Sequence, residues 1–203
     1  MNFSIYTFDQ VDYVVPSWEQ MGDVNFELLK AVRDSGKKYD RVIALSKGGL
    51  TWARAFVDGL AMDELSSLRI KLYKGINQKA TTPEIVEPLT VDITGQTVLL
   101  FDDVVDTGET YEFAKQLLLK KYGALKVDTA ALFYKPHAVI KPDFFSAETT
   151  AWIVFPHEIN EFIQETGKKW RDYGLDQNEI LSRYQQMNLP FEQCKYYLKS
   201  LFF

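Results

Sequence analysis

Along the middle of the chain, short uninterrupted apolar runs alternate with segments whose apolar residues recur every three or four positions. Runs of four to six residues bounded by polar stretches predict buried strands over Arg41–Leu45, Leu68–Tyr73, Thr97–Phe101 and Val127–Phe133. Leu50–Leu60 places Leu50, Ala53, Phe56 and Val57 on one helical face, and Glu109–Gly123 does the same with Phe113, Ala114, Leu117 and Leu118 before a terminating glycine. An amphipathic helix over Trp18–Gly36 precedes them, Lys141–Phe155 reads as a loop and a strand, and Glu161–Phe203 reads as a helical tail. Strand, helix and strand in repeated order predict an α/β fold, a mostly parallel twisted sheet flanked by helices. Lys74–Gly95 is polar and aperiodic, and so long a connection in a compact domain is expected to be a functional lid, disordered, or both.

Composition narrows the classes. With 203 residues, 46% of them hydrophobic, the chain can bury one substantial core. A net charge of −5 argues against a broad nucleic-acid-binding face, which would need clustered Lys and Arg, although a small anionic ligand requires only a local site. The single cysteine, Cys194, excludes an internal disulfide framework and is expected to be an inert packed thiol. The first residues lack the basic start of a secretory signal, and no apolar run approaches the roughly 18 residues of a membrane span, so a cytoplasmic location without a membrane partner is expected.

The chemistry concentrates in VLLFDDVVDTGET, Val98–Thr110. Ligands of open α/β sheets bind at the carboxyl ends of the strands, and this stretch lies at such an end. Phe101 is expected to close the strand, with the chain turning at Asp102 and Asp103 so that both can serve one ligand. Adjacent carboxylates repel, and burying them is costly unless something donates hydrogen bonds to them; a sugar diol is such a donor, and a metal could sit nearby. In DTGET, Thr107 and Thr110 offer hydroxyls, Gly108 admits close backbone approach, and the N–H groups of the following first turn favour an anion. The stretch is a phosphate cradle beside a diol clamp.

Val98–Thr110 resembles the phosphoribosyl-pyrophosphate (PRPP) signature of the type I phosphoribosyltransferases. The resemblance implies that Asp102 and Asp103 hold the ribose hydroxyls and stand near a Mg²⁺ ion, while Asp106, Thr107, Gly108, Glu109 and Thr110 wrap the 5′-phosphate. The Glu109 side chain is expected to point away from that phosphate. Asp106 would also face the purine N7 as general base. ALSKGGL, Ala44–Leu50, resembles the family's pyrophosphate loop, with Ser46, Lys47, Gly48 and Gly49 as its binding residues and a cis bond expected at Lys47–Gly48. ALFYKPHAVIKPDFF and AWIVFPHE resemble the hood of the 6-oxopurine phosphoribosyltransferases: Lys135 would donate to the purine O6, Trp152 would stack on the ring, and Ile153 would offer backbone groups. WIVFPHE is most similar to the xanthine–guanine branch and its archaeal-type relatives. The fold implied is the type I phosphoribosyltransferase fold with a small hood, over residues 1–160 with the hood at about 135–160, and a helical extension, 161–203, packed on the same domain.

The activity implied is transfer of the 5-phosphoribosyl group from PRPP to hypoxanthine, guanine or xanthine in purine salvage, with Mg²⁺ as cofactor and a homodimer or larger homo-oligomer as the assembly. A regulator of the same fold that binds PRPP or a nucleotide without turnover, and a transferase for a non-purine base, are the alternatives. The sequence departs from many relatives at Val139, where they carry an arginine for pyrophosphate; Lys141 and Lys74 are the substitutes it offers, and its lid offers Tyr73, Lys74 and Lys79. Glu158 is a weaker metal contact. His137 and His157 lie beside prolines without a Ser or Cys partner motif and are read as structural or surface residues.

Overall fold

In the computed structural model, residues 3–74 and 81–202 are described. From the N-terminus the elements are β1 (Ile5–Phe8), β2 (Val11–Val14), α1 (Trp18–Asp34), β3 (Arg41–Leu45), α2 (Gly48–Gly59), β4 (Leu65–Lys74), β5 (Thr81–Glu87) and β6 (Thr97–Val105). There follow α3 (Glu109–Lys120), β7 (Lys126–Tyr134), β8 (Phe144–Glu148), β9 (Trp152–Ile153), α4 (Ile159–Asp172), α5 (Gln177–Gln186) and α6 (Phe191–Leu198), ending in a short 3₁₀ turn, Lys199–Leu201. They form two units: Gly22–Thr149, and Met1–Met21 together with Thr150–Phe203.

The first unit is a six-stranded sheet in the order β5-β4-β3-β6-β7-β8. Every neighbouring pair from β4 to β8 is parallel, and only β5 runs antiparallel, against β4. Alternation along β6 sends Val98 and Leu100 to the face covered by Ala114 and Leu118 of α3. Phe101 faces the other way and meets Phe56 of α2 with ring centroids 4.8 Å apart. Tyr111, the third residue of α3, is buried and donates its hydroxyl to the backbone carbonyls of Leu100 and Ala130, tying the helix start to two adjacent strands.

The expected mostly parallel α/β sheet is present, with differences in detail. On α2 the buried face is Trp52, Ala53, Phe56 and Val57, whereas Leu50 is 40% exposed: beginning the helix at Gly48 turns Trp52 inward instead. Lys74–Gly95 is not one aperiodic loop, because Thr81–Glu87 pairs with β4 from Lys74 back to Arg69. A strand at the sheet's edge has only one neighbour to satisfy, so it tolerates the polar sequence and the proline at Pro83 that disguised it. Residues 75–80, with Lys79, lie outside the described residues, as do the side chains of Tyr73 and Lys74.

The second unit joins the two ends of the chain. The hairpin β1-β2 pairs its second strand in parallel with β9, setting Tyr13 opposite Trp152 and Val14 opposite Ile153. Its core gathers Tyr13, Phe162, Ile163, Trp170, Tyr184, Cys194 and Leu198. Arg183 grips Asp9 with two hydrogen bonds of 2.6 and 3.2 Å and lies over the Phe8 and Trp170 rings. Cys194 is fully enclosed, and burial pushes its thiol up to about 11, which makes it the inert thiol expected. Among the described residues, no helix is long and apolar enough to cross a membrane.

Candidate active site

Strand β6 does not end at Phe101; it continues in register with β7 as far as Val105. Asp102 and Asp103 therefore emerge from a strand and not from a turn, and their carboxylates meet the neighbouring loop differently. Asp103 is 5% exposed, and its carboxylate faces Gly48, where an added Cβ would fall 2.6 Å from Oδ1. Asp102 folds back on the backbone, where its carboxylate accepts from the N–H of Asp103 at 3.0 Å and from the N–H of Gly49. Burial, followed by the adjacent Asp103 charge, pushes Asp102 well above the usual carboxylate range.

The loop they meet, Ser46–Gly49, joins β3 to α2. Its cis peptide is Ser46–Lys47, one bond earlier than expected, because α2 already begins at Gly48 and the chain must reverse before it. The two glycines are required by proximity: a Cβ on Gly49 would fall 2.9 Å from the carbonyl oxygen of Phe101 and 3.0 Å from Cα of Asp102. Ser46 Oγ is buried without a hydrogen-bond partner among the described residues, a polar atom in want of a ligand. Lys47, exposed, is the N-cap position of α2.

Beyond β6 the cradle runs Asp106-Thr107-Gly108-Glu109-Thr110. Gly108 is the N-cap of α3 with φ +81°, a left-handed conformation that favours glycine, and as a glycine it supplies no side-chain cap of its own. Thr107 Oγ1 accepts from Glu109 N–H at 3.4 Å, and both of these residues are exposed. The segment after β7 is stitched to the cradle: Lys135 N–H donates to Val105 O at 3.0 Å and Val139 N–H to Thr107 O at 2.8 Å. As a result Lys135 Nζ lies 3.4 Å from Asp106 Oδ1, and so does His137 Nε2. Lys135 is therefore not a free surface lysine; its side chain is 12% exposed. Lys141 Nζ lies over the rings of Phe145 and Tyr134, at 4.9 and 5.7 Å from their centroids.

Trp152 and Ile153 belong to the second unit. Trp152 presents 43% of its surface to solvent at the exposed position of β9, while Ile153 is buried. His137, read from sequence as a structural or surface residue, has a side chain 57% exposed. Its position two residues after Lys135 was legible, but its approach to Asp106 depends on the stitching of two strand ends.

A parallel sheet with paired acids and two glycine-bearing helix entries at its carboxyl edge defines an α/β protein equipped for an anionic, hydroxyl-rich ligand. The chain belongs to the phosphoribosyl transferase domain family, which it matches over residues 17–164. It is similar to the xanthine-guanine phosphoribosyltransferase of Gluconobacter oxydans, 24% identical over 148 residues, covering 72% of this chain and 84% of that protein. It is also similar to the ribose-phosphate pyrophosphokinase of Thermococcus kodakarensis, 35% identical over 92 residues, which span 44% of this chain and 29% of that protein. Among solved structures, the purine phosphoribosyltransferase from Pyrococcus horikoshii is 34% identical with a TM-score of 0.65, covering 71% of this chain and 93% of that one.

Proposed function

We propose that the chain transfers the 5-phosphoribosyl group from PRPP to a 6-oxopurine, giving the nucleotide and pyrophosphate. The observation that carries the base class is Lys135, mostly enclosed and paired with Asp106 beside the cradle. An ammonium offers donors only, so it suits an oxygen at the purine 6-position and opposes the amino group of adenine. The similarity to xanthine-guanine and purine phosphoribosyltransferases supports the same reading.

In this mechanism a purine nitrogen attacks the ribose C1′ as the bond to pyrophosphate breaks. Asp106 accepts the proton released from the base, a role typically contributing 10²–10⁴-fold. Thr107, Gly108, Glu109 and Thr110 present backbone N–H groups and hydroxyls to the 5′-phosphate, with the Glu109 side chain turned outward. Ser46, Lys47, Gly48 and Gly49 receive the pyrophosphate, for which the orphan hydroxyl of Ser46 is a donor. Trp152 and Ile153 serve the ring face and edge of the base.

Magnesium fits this site. Asp102 and Asp103 are adjacent hard oxygen donors whose mutual repulsion a divalent cation would relieve. When bound, the ion supplies positive charge against the leaving pyrophosphate. A reducing, cytoplasmic setting and a homodimer or larger homo-oligomer complete the proposal.

The test is a panel of hypoxanthine, guanine, xanthine and adenine with PRPP, with and without Mg²⁺. The reading expects consumption of one or more 6-oxopurines, dependence on Mg²⁺, little use of adenine, and a loss of about 10²–10⁴-fold in kcat for Asp106→Asn. Preference for adenine would overturn the base class, and no consumption of any base would overturn the enzyme.

A further inference from the structure

Asp106 has two partners that approach the same oxygen: Lys135 Nζ and His137 Nε2 both lie 3.4 Å from Oδ1. The segment that carries them is fixed by backbone. Lys135 N–H to Val105 O and Val139 N–H to Thr107 O anchor it at both ends, and Ala138 N–H closes on Lys135 O at 2.9 Å. An added Cβ on Gly108 would fall 3.1 Å from Ile140 N, so the segment also lies directly against the cradle. His137 is thus held opposite Asp106 by main chain on either side of it.

The two partners have different duties once a base arrives. Under the proposed function, on which this inference rests, the Lys135 ammonium is drawn to the purine O6 and gives up Asp106. The carboxylate would then be free to rotate at the moment its other oxygen, Oδ2, must face the proton of the base. We propose that His137 is the positioning residue of the reaction: its Nε2–H donates to Asp106 Oδ1 and keeps Oδ2 directed at the base while Lys135 turns to the purine. The role requires an N–H donor at that place and nothing more of the ring. Lys135 and His137 reach Asp106, in the turn between β6 and α3, from one segment, whereas Lys141 is engaged over Tyr134 and Phe145.

The test uses three substitutions in the full chain, each assayed with PRPP, Mg²⁺ and the preferred 6-oxopurine. His137→Ala should lower kcat by about 10-fold with KM for PRPP unchanged, since orientation and not ground-state binding is lost. His137→Gln, which carries an amide N–H donor of similar reach, should recover most of that loss, and His137→Phe, which fills the space without a donor, should recover none. A merely structural role predicts the reverse order, with Phe the better replacement. Wild-type kcat in the Ala and Phe variants, a loss confined to KM for PRPP, or Gln no better than Phe overturns the inference alone. Failure of the unaltered protein to consume any 6-oxopurine overturns the proposed function and this inference together.

Discussion

Adding one methyl group at Gly48 or at Gly49 should separate ligand binding from folding, because the two positions press on different kinds of atom. At Gly48 the new Cβ would stand 2.6 Å from Asp103 Oδ1 and 2.7 Å from its Cγ, so the carboxylate must retreat by about 1 Å to reach ordinary contact. The helix itself gains from Gly→Ala, by up to about 1 kcal/mol, so stability should hold or rise slightly. A displaced carboxylate forfeits a charge-assisted hydrogen bond to the ligand, about 1.5–3 kcal/mol, or roughly 10- to 150-fold in affinity for PRPP. At Gly49 the Cβ meets main chain, 2.9 Å from Phe101 O and 3.0 Å from Asp102 Cα, which cannot swing aside. Overpacking of about 3 kcal/mol, less about 1 kcal/mol of helix propensity, leaves a destabilisation of about 2 kcal/mol. For a chain of this length that lowers the thermal midpoint by roughly 4–8 °C. Titration calorimetry with PRPP and Mg²⁺, alongside thermal unfolding, reads both effects. If Gly48→Ala binds PRPP as the unaltered protein does, the Asp103 carboxylate is not a ligand contact and the argument fails.

Two further substitutions probe the base and the scaffold. Lys135→Ala should raise KM for the 6-oxopurine by about 10-fold or more in steady-state kinetics while leaving PRPP binding nearly intact, because a charged donor to the base is lost. Asp128, 5% exposed on β7, accepts from Tyr39 Oη at 2.8 Å, Lys37 Nζ at 2.9 Å and Lys126 Nζ at 3.3 Å. Desolvation pushes its carboxyl up, but these donors outweigh it and hold the group below its ordinary value. Asp128→Asn should cost about 2 kcal/mol at pH 7, discounted for the exposed ends of both lysines. Since the folded value is depressed, that contribution is complete above the unfolded aspartate value of about 3.9 and is lost as pH falls through the folded one. Urea unfolding should therefore show the two proteins converging in acid, and a constant difference between pH 7 and pH 3 would refute the assignment.

What could be read from sequence and what could not divides along a physical line. Arg41–Leu45 is a strand to the residue, and Val98–Leu100, fully buried, announces the centre of the sheet, because a strand covered on both faces must be apolar throughout. The edges give no such signal. β5, with Thr81, Thr82 and Pro83, packs one neighbour, and β1 leaves Ile5 62% exposed, so neither needs a pattern that periodicity can detect. The candidate site follows the same rule. Asp102, Asp103 and Asp106–Thr110 are contiguous, and their chemistry is written locally. His137 stands 31 positions beyond Asp106, and only the parallel register of Val105 with Tyr134, continued by Lys135 N–H on Val105 O, brings the two loops together. Once that register is fixed, the residue two places after the lysine must come near the acid that follows the strand. A histidine there stands 3.4 Å from the proposed general base, whereas its neighbours in sequence, Pro136 and Ala138, gave no sign of it.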